Sequence, residues 1–331
     1  MKRSVKVVIG SLVGGASIVA ALALVLALFT GTAGAAAGGS EVFHGQVFPI
    51  RGASGRAVTN SNMYYHGGRV AHSPVVYISW WGSQWSTGFS SGGYTSSQAQ
   101  TYNTDFFGGV GGSSWHNTDK QYCDGVAVNT QICGTSGNHI GNATFGGAWN
   151  DTSSLPKRIS QSSIASAAVR LMSHFGGYNP DGIYLVYTPS GHSMSGFGTQ
   201  WCAWHSSTTD SLGNNVAYGY IPYMPDAGSS CGSNYVNATN TSYGNGYFDG
   251  FSIVAGHEFI ESETDMNPNT STTVAWQGPG GGSDENGDKC AWNQNGGTST
   301  NISLGSHSYA VQPDWSNDST QNGSHCVTSH T

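Results

Sequence analysis

The N-terminal segment most restricts what this chain can fold into, because it decides where folding takes place. Residues 1–37 combine a short basic start, an apolar run over residues 7–29 and an end rich in small residues. This order is typical of a secretory signal, with cleavage after Ala35 or Ala37. The run is long for a signal, so an uncleaved membrane anchor is the alternative, although glycines and a serine interrupt it. We therefore predict a secreted, extracellular protein without stable membrane insertion after signal cleavage.

Charged residues are sparse in the remaining chain. Asp, Glu, Lys and Arg make up only 9% of the sequence, against about a quarter in a typical soluble domain. The net charge of −7 becomes about −10 once Lys2, Arg3 and Lys6 leave with the signal. Because the chain has no basic patch, nucleic acid is excluded as an expected partner.

Six cysteines follow the signal, and an even number in an exported chain predicts three disulfides. No C-x-x-C pair is present, which disfavours a zinc finger. Fifteen pairings are possible in principle. Our working prediction pairs nearest neighbours: Cys123 with Cys133, Cys202 with Cys231, and Cys290 with Cys326.

Hydrophobic patterns predict three strands and three helices of useful length. The strands are 70–81, 183–187 and 216–223, and the helices are 96–107, 155–175 and 247–266. Gly108 would end the first helix, and Pro156 would lie in the first turn of the second. We therefore predict an irregular leader at 38–62. A single α+β domain follows at 63–331, with a mixed β-sheet packed by about three helices and held by disulfides.

The third predicted helix contains the most informative motif, GHEFIESETD, which ends at Asp265. At about 100° per residue, His257, Glu261 and Asp265 lie along one side of the helix. Apolar residues flank this side, so these polar groups need partners within the protein. The alternative is a solvated acidic turn, with His257 bonded only to a backbone carbonyl.

A divalent cation is a suitable partner for this helix. In H-E-x-x-H zinc proteases two histidines at i and i+4 bind the metal, and the Glu is the general base. Here Glu261 replaces the second histidine, and zinc accepts carboxylate oxygen as well as imidazole nitrogen. The motif therefore predicts zinc bound by His257 and Glu261, with Glu258 as the catalytic base.

Further ligands must come from outside this helix or from its end. We favour His205, which follows a cysteine, with Asp265 and Asp288 as the next candidates for the zinc site. Asp284, Glu285 and Asp288 also stand together in a glycine-rich loop that could bring a carboxylate to the metal, or could bind calcium through oxygen atoms. Such acidic residues can equally be turn formers.

Several short motifs resemble those of one protein family in their order along residues 60–327. They are Tyr65-His66-x-Gly68 before the strand ending at Trp81, Cys202-x-x-His205, His257-Glu258-x-x-Glu261 before Asn267-Pro268, Glu285-x-Gly287-Asp288-x-Cys290, and the closing Trp315 and Cys326. Together they resemble the phosphate-induced protein 1 family, the EXORDIUM-like secreted proteins of plants with bacterial relatives.

What this resemblance implies is limited. Plant members of the family are cell-wall or apoplastic proteins linked to growth, without a settled reaction. The resemblance adds weight to secretion and to His205, His257, Glu258, Glu261 and Asp288. The chain departs from the family pattern by extra residues around Asp265 and by the lack of one cysteine in the segment that contains His205.

These observations lead to one main functional hypothesis and two alternatives. We expect a secreted zinc-dependent hydrolase, a metallopeptidase in a zincin-like domain where the strands precede the metal helix, an analogy of fold only. The second hypothesis is a non-catalytic extracellular protein that binds cell-wall polysaccharide and contains a structural metal or a polar network. The third pairs two carboxylates for glycoside hydrolysis.

Overall fold

The computed structural model describes residues 46–53, 58–269, 274–282 and 284–331. The predicted signal at 1–37 lies outside these residues. Among the helices that are described, none is both long enough and apolar enough to cross a membrane.

Short strands alternate with a few helices along the chain. The strands are β1 (Gln46–Pro49), β2 (Tyr64–Tyr65), β3 (Val75–Trp81), β4 (Ser90–Ser91), β5 (Tyr94–Thr95), β6 (Cys123–Asp124), β7 (Asn138–His139), β8 (Thr144–Asp151), β9 (Gly182–Tyr187), β10 (Trp201–Thr209), β11 (Asn215–Ile221), β12 (Trp276–Gln277), β13 (Thr300–Leu304), β14 (His307–Val311), β15 (Asp314–Trp315) and β16 (Cys326–Val327). The helices are α1 (Gln84–Thr87), α2 (Ser96–Val110), α3 (Gln161–His174), α4 (Asp249–Thr264) and α5 (Asn286–Lys289), with 3-10 turns at His116–Gln121, Met224–Cys231 and Gln294–Gly296.

Six strands form the central sheet in the order β1-β10-β11-β9-β3-β8. The pairs β11–β9, β9–β3 and β3–β8 are parallel, whereas β1–β10 and β10–β11 are antiparallel. The prediction of one α+β domain with a mixed sheet is therefore confirmed.

The two faces of this sheet bury different helices. Alternate residues of a strand point to opposite faces, so Ile183 and Leu185 of β9 contribute to one core while Tyr184 and Val186 contribute to the other. Helices α2 and α4 pack on the first face and α3 packs on the second. The predicted metal helix, α4, therefore lies against the sheet inside the larger core.

The predicted helices exist, but their ends differ from the prediction. Helix α3 begins at Gln161, six residues after the predicted start, because Ser160 and Ser163 form a capping box there; Pro156 therefore lies before the helix. Helix α2 continues past Gly108 to Val110. Helix α4 covers Asp249–Thr264, two residues shorter at each end than predicted.

The strand predictions were incomplete. Strands β3, β9 and β11 match the predicted segments, although β3 begins only at Val75. Strands β8 and β10 were missed. Adjacent glycines interrupt β8, and serines and threonines end β10, so neither shows the β-branched pattern that identified the others.

The irregular leader predicted at 38–62 is wrong for residues 46–49. These residues form β1, which pairs antiparallel with β10 and has Phe48 fully buried. A four-residue strand ending in proline gives a weak sequence signal, and proline is tolerated because β1 lies at the sheet edge.

Three disulfides join the predicted pairs: Cys123–Cys133, Cys202–Cys231 and Cys290–Cys326. The last bond closes a loop of the chain that contains β13 and β14, and Cys290 directly follows helix α5. The nearest-neighbour prediction is confirmed for all three.

Candidate metal centre

Helix α4 is enclosed by protein on every side. All of its residues are buried, including its acidic ones. One side rests on the central sheet, and the hairpin β13–β14 packs on another, where Ser252 Oγ donates to the Ala310 carbonyl at 2.6 Å. The alternative of a solvated acidic turn is therefore wrong, since Glu261, Glu263 and Asp265 are each 0% exposed.

His257 and Glu261 meet one turn apart on α4. The Nε2 atom of His257 lies 3.0 Å from Oε1 of Glu261. Glu258 completes a group in which one ligand atom from each residue lies within 4.8 Å of the others. Two ligands of a tetrahedral zinc ion, each about 2.1 Å from it, are about 3.4 Å apart. The spacing of His257 and Glu261 therefore fits a shared divalent cation.

The orientation of the His257 ring is fixed by Gln312. The Nε2 amide of Gln312 donates to the Gly287 carbonyl at 2.9 Å, so its Oε1 faces His257 Nδ1 at 3.3 Å. An oxygen acceptor at Nδ1 requires a ring proton there, so whenever the ring is neutral its lone pair lies on Nε2, the atom that faces Glu261. Such an outer hydrogen bond is a common feature of metal-binding histidines.

Gly287 allows this close arrangement. A Cβ atom on Gly287 would lie 2.7 Å from His257 Nδ1 and 3.0 Å from Glu261 Oε1. The next residue, Asp288, donates its backbone N–H to Glu261 Oε1 at 2.9 Å. The α5 segment therefore packs its backbone, without side-chain bulk, against the motif of α4.

A second group shares Glu261 from its other side. His205 Nε2 lies 3.3 Å from Glu261 Oε2 and 3.2 Å from Glu285 Oε2, and one ligand atom from each of the three lies within 4.8 Å of the others. We call His205, His257, Glu258, Glu261 and Glu285 the imidazole–carboxylate cluster. Their side chains are at most 1% exposed.

Opposite charges dominate the ionisation of this cluster. Burial lowers the pKa of His205, but Glu285 and Glu261 outweigh burial and hold that pKa well above 6.5. Burial likewise raises the pKa of Glu261, yet His257 and His205 together hold it well below its usual value. Glu261 is therefore an anion that attracts cationic partners on both sides.

The predicted metal ligands differ in their positions relative to Glu261. His205 and His257 both approach Glu261, from opposite sides. Asp288 lies beside the cluster, with Oδ1 at 3.6 Å from His257 Nε2. Asp265 is the residue that caps α4, with extended backbone angles, so it does not continue the helical stripe predicted for it.

Two acidic residues of the loop predicted as a calcium site have different partners. Asp284 forms an ion pair with Lys289 at 2.8 Å and accepts hydrogen bonds from Thr59, away from the cluster. Glu285 instead joins His205 and Glu261. The sequence analysis gave this loop as a possible source of a carboxylate for the metal, but it did not single out Glu285.

A further polar cluster was missed entirely. We call His116, Asp119, Glu263 and Asp314 the carboxyl cluster. His116 Nε2 lies 3.1 Å from both carboxylate oxygens of Glu263, and Asp119 interacts electrostatically with Glu263. Asp314 also interacts electrostatically with Asp119 and Glu263.

Burial is the main cause of the shifted pKa values in the carboxyl cluster. It raises the pKa of Asp119, Glu263 and Asp314 well above their usual values. It also lowers the pKa of His116 to about 4, with a further contribution from Lys120. Burial therefore favours the uncharged forms of His116 and of the three carboxyl groups.

Comparisons of the chain with protein-family models, curated proteins and solved structures find no match.

Proposed function

We propose that this protein is a secreted metal-dependent hydrolase of the zinc peptidase type. The observation that carries the proposal is the contact of 3.0 Å between His257 Nε2 and Glu261 Oε1, with Glu258 in the same group. Imidazole nitrogen and carboxylate oxygen are the donor types that zinc accepts. The sequence order, in which the strands precede the motif helix, is compatible with a zincin-like analogy.

Each residue of the proposed site has a distinct role. His257 and Glu261 hold the metal, and Gln312 keeps the Nε2 lone pair of His257 directed at it. When bound, zinc supplies Lewis-acid chemistry. Glu258 takes the proton from the attacking water and returns it to the leaving group, which is the role of a general base.

Extracellular location is part of the same proposal. Three disulfides are consistent with folding in an oxidising compartment. The N-terminal sequence has the composition of a secretory signal. An extracellular peptide is the proposed substrate, and the resemblance to EXORDIUM-like proteins favours the same location.

A cleft near the cluster is the proposed approach for substrate. It has a volume of about 500 Å³, and its wall includes Arg51, Tyr235 and Trp292. Trp292 stacks on Phe48 at 5.0 Å between ring centroids, and Phe48 in turn lies 4.1 Å from the His257 ring. Movement of these two aromatic side chains would connect the cleft to His257.

The test compares two matched glutamate substitutions on the same helix. Glu258→Gln should abolish cleavage of a peptide library, a loss of about a hundredfold or more, and should leave bound metal unchanged. Glu263→Gln is the control, because Glu263 is equally buried but belongs to the carboxyl cluster. Cleavage by Glu258→Gln at the wild-type rate would contradict the proposal.

The second candidate is a non-catalytic wall-binding protein with a structural metal or a polar network. One observation favours it: the side chains of the imidazole–carboxylate cluster are at most 1% exposed, whereas a hydrolase must admit substrate. Structural zinc sites are closed by four protein ligands. Metal-loaded wild type that cleaves no library peptide but binds insoluble polysaccharide would favour this candidate.

A further inference from the structure

The two histidines of the imidazole–carboxylate cluster contact different oxygens of one glutamate. His257 approaches Oε1 of Glu261, and His205 approaches Oε2. They belong to two separate groups of ligand atoms, and Glu261 is the member that both groups share. The groups are His257 with Glu258 and Glu261, and His205 with Glu261 and Glu285.

This separation is too large for a single ion. Two ligands of one zinc ion, each at about 2.1 Å, cannot be more than about 4.2 Å apart. Within the described residues, no group of ligand atoms spaced by 4.8 Å or less contains both His205 and His257. With the side chains where they lie, one ion bound to His257 would therefore leave His205 unused.

We propose that His205, Glu285 and Oε2 of Glu261 form a second divalent-cation position, so that Glu261 bridges two metal ions. The inference rests on the proposed function for the first position, at His257. Zinc suits the second position also, because its donors are again one imidazole and carboxylate oxygens.

Each position has the same composition. One imidazole and one further carboxylate meet one oxygen of Glu261, at distances of 3.0 Å for His257 and 3.3 Å for His205. In the second position Glu285 adds a contact of 3.2 Å to His205. Paired metal ions about 3.5–4 Å apart, joined by shared ligands, occur in aminopeptidases and phosphatases.

Carboxyl groups outnumber imidazoles around the two positions. Five carboxyl groups with 0% exposure surround them: Glu258, Glu261, Asp265, Glu285 and Asp288. Buried carboxylate charge is costly without a partner, so a cation beside His205 would stabilise the folded state.

Asp265 supplies an independent indication at the second position. Its Oδ2 atom is fully buried and accepts no hydrogen bond from the residues that the structure describes. Asp265 interacts electrostatically with both Glu285 and His205. A buried carboxylate oxygen in this setting is suited to a cation beside His205.

The test is zinc content per chain, measured by mass spectrometry on oxidised full-length protein after zinc loading and removal of weakly bound metal. Two zinc ions are expected in the wild type, and one in each of His205→Ala and Glu285→Gln. Anomalous diffraction at the zinc edge should show two peaks about 3.5–4 Å apart in the wild type. The wild-type count does not depend on how any variant folds.

Other outcomes separate this inference from the proposed function. One zinc per wild-type chain that is lost in His257→Ala and kept in His205→Ala would overturn the second position and leave the first intact. One zinc per wild-type chain that is lost in both His257→Ala and His205→Ala would mean that the two histidines bind a single ion after side-chain movement. This outcome also overturns the inference. No zinc in the wild type would overturn both proposals.

Discussion

Helix α4 divides two buried polar clusters of similar composition that ionise in opposite ways. Glu261 and Glu263 are two residues apart, so they point about 200° apart on the helix. Glu261 lies between two histidines and has a lowered pKa, whereas Glu263 lies near carboxyl groups and has a raised pKa. Both side chains are 0% exposed. Burial alone therefore does not decide the charge of a glutamate; the neighbours that the fold supplies decide it.

The comparison suggests different uses for the two sides of α4. The imidazole–carboxylate cluster concentrates negative charge with nitrogen donors, which suits metal cations. The carboxyl cluster instead has raised carboxyl pKa values, and Asn286 Nδ2 donates to Asp119 Oδ1 at 2.9 Å. Glu285 is the N-cap of helix α5 and Asn286 is its first residue, so the start of this helix supplies one residue to each cluster.

The largest expected effect is metal removal, which should affect only one cluster. A site saturated at a thousand times its Kd adds about 4 kcal/mol to the free energy of unfolding. For a domain of this size that is a shift of about 10 °C in the thermal midpoint. A strong chelator should lower the midpoint of wild type and Glu263→Gln by at least this amount and lower that of His257→Ala by less, because His257→Ala lacks the first position. Equal shifts of the thermal midpoint in all three proteins would contradict metal binding by His257.

Next in size is Gly287→Ala, which adds a methyl group against His257 and Glu261. Because this Cβ would approach His257 Nδ1 to 2.7 Å, we expect a loss of about 1–3 kcal/mol in unfolding free energy and weaker zinc binding. Gly108→Ala is the control, since its Cβ meets open space within α2 and should be neutral or stabilising. Denaturant unfolding of both variants measures this, and equal stabilities would contradict the expectation.

A smaller effect is expected when the support of His257 is removed. Gln312→Leu eliminates the oxygen that accepts the Nδ1 proton, so the ring loses its fixed orientation. Outer hydrogen bonds of this type contribute about ten- to a hundredfold to metal affinity. Competition with a chromophoric chelator measures the affinity. An unchanged affinity would show that packing by Phe48 alone orients the ring.

The smallest effect is a pH dependence in the carboxyl cluster. The pKa of Asp119 is raised in the folded protein above 3.8, so the folded state binds this proton more tightly than the unfolded chain. Its contribution to stability is present below that unfolded value and is lost as pH rises through the folded pKa. Asp119→Asn has no proton to lose. The thermal midpoint of Asp119→Asn, relative to that of the wild type, should therefore rise by a few degrees between about pH 4 and about pH 8.

His116 also contributes to the pH dependence of stability. His116 has a lowered pKa of about 4, so it destabilises the fold as pH falls from 6.5 towards 4, in wild type and Asp119→Asn alike. The difference between the two proteins removes this contribution. Parallel pH profiles would show that Asp119 is ionised at neutral pH and that the carboxyl cluster is misassigned.

Local sequence signals predicted the elements that carry strong periodicity. Strands β3 and β9 are rich in β-branched and aromatic residues, and α4 contains the motif that pointed to His257, Glu258 and Glu261. The edge strand β1 and the glycine-containing β8 give no such pattern. Their pairing is decided by neighbours distant in sequence, which one segment alone cannot reveal.

Helix geometry predicted the part of the candidate site whose residues lie close together in sequence, whereas His205 was proposed because it follows a cysteine and because of the family resemblance. Glu261 follows His257 by one helical turn, so the contact between them follows from helix geometry. Glu285 and Gln312 reach the cluster through tertiary folding, and neither has a local signal for that position. His116 and Asp119 lie outside every predicted helix and strand, so no sequence pattern indicated the carboxyl cluster.

The central claim is that one side of α4 binds metal and the other does not. The most direct measurement is the zinc content of purified, oxidised wild type, His257→Ala and Asp119→Asn, loaded and washed in the same way. The account predicts the same stoichiometric zinc content in the wild type and in Asp119→Asn, and a lower content in His257→Ala. Wild-type zinc content in His257→Ala with a loss in Asp119→Asn, or a wild type without zinc, would contradict it.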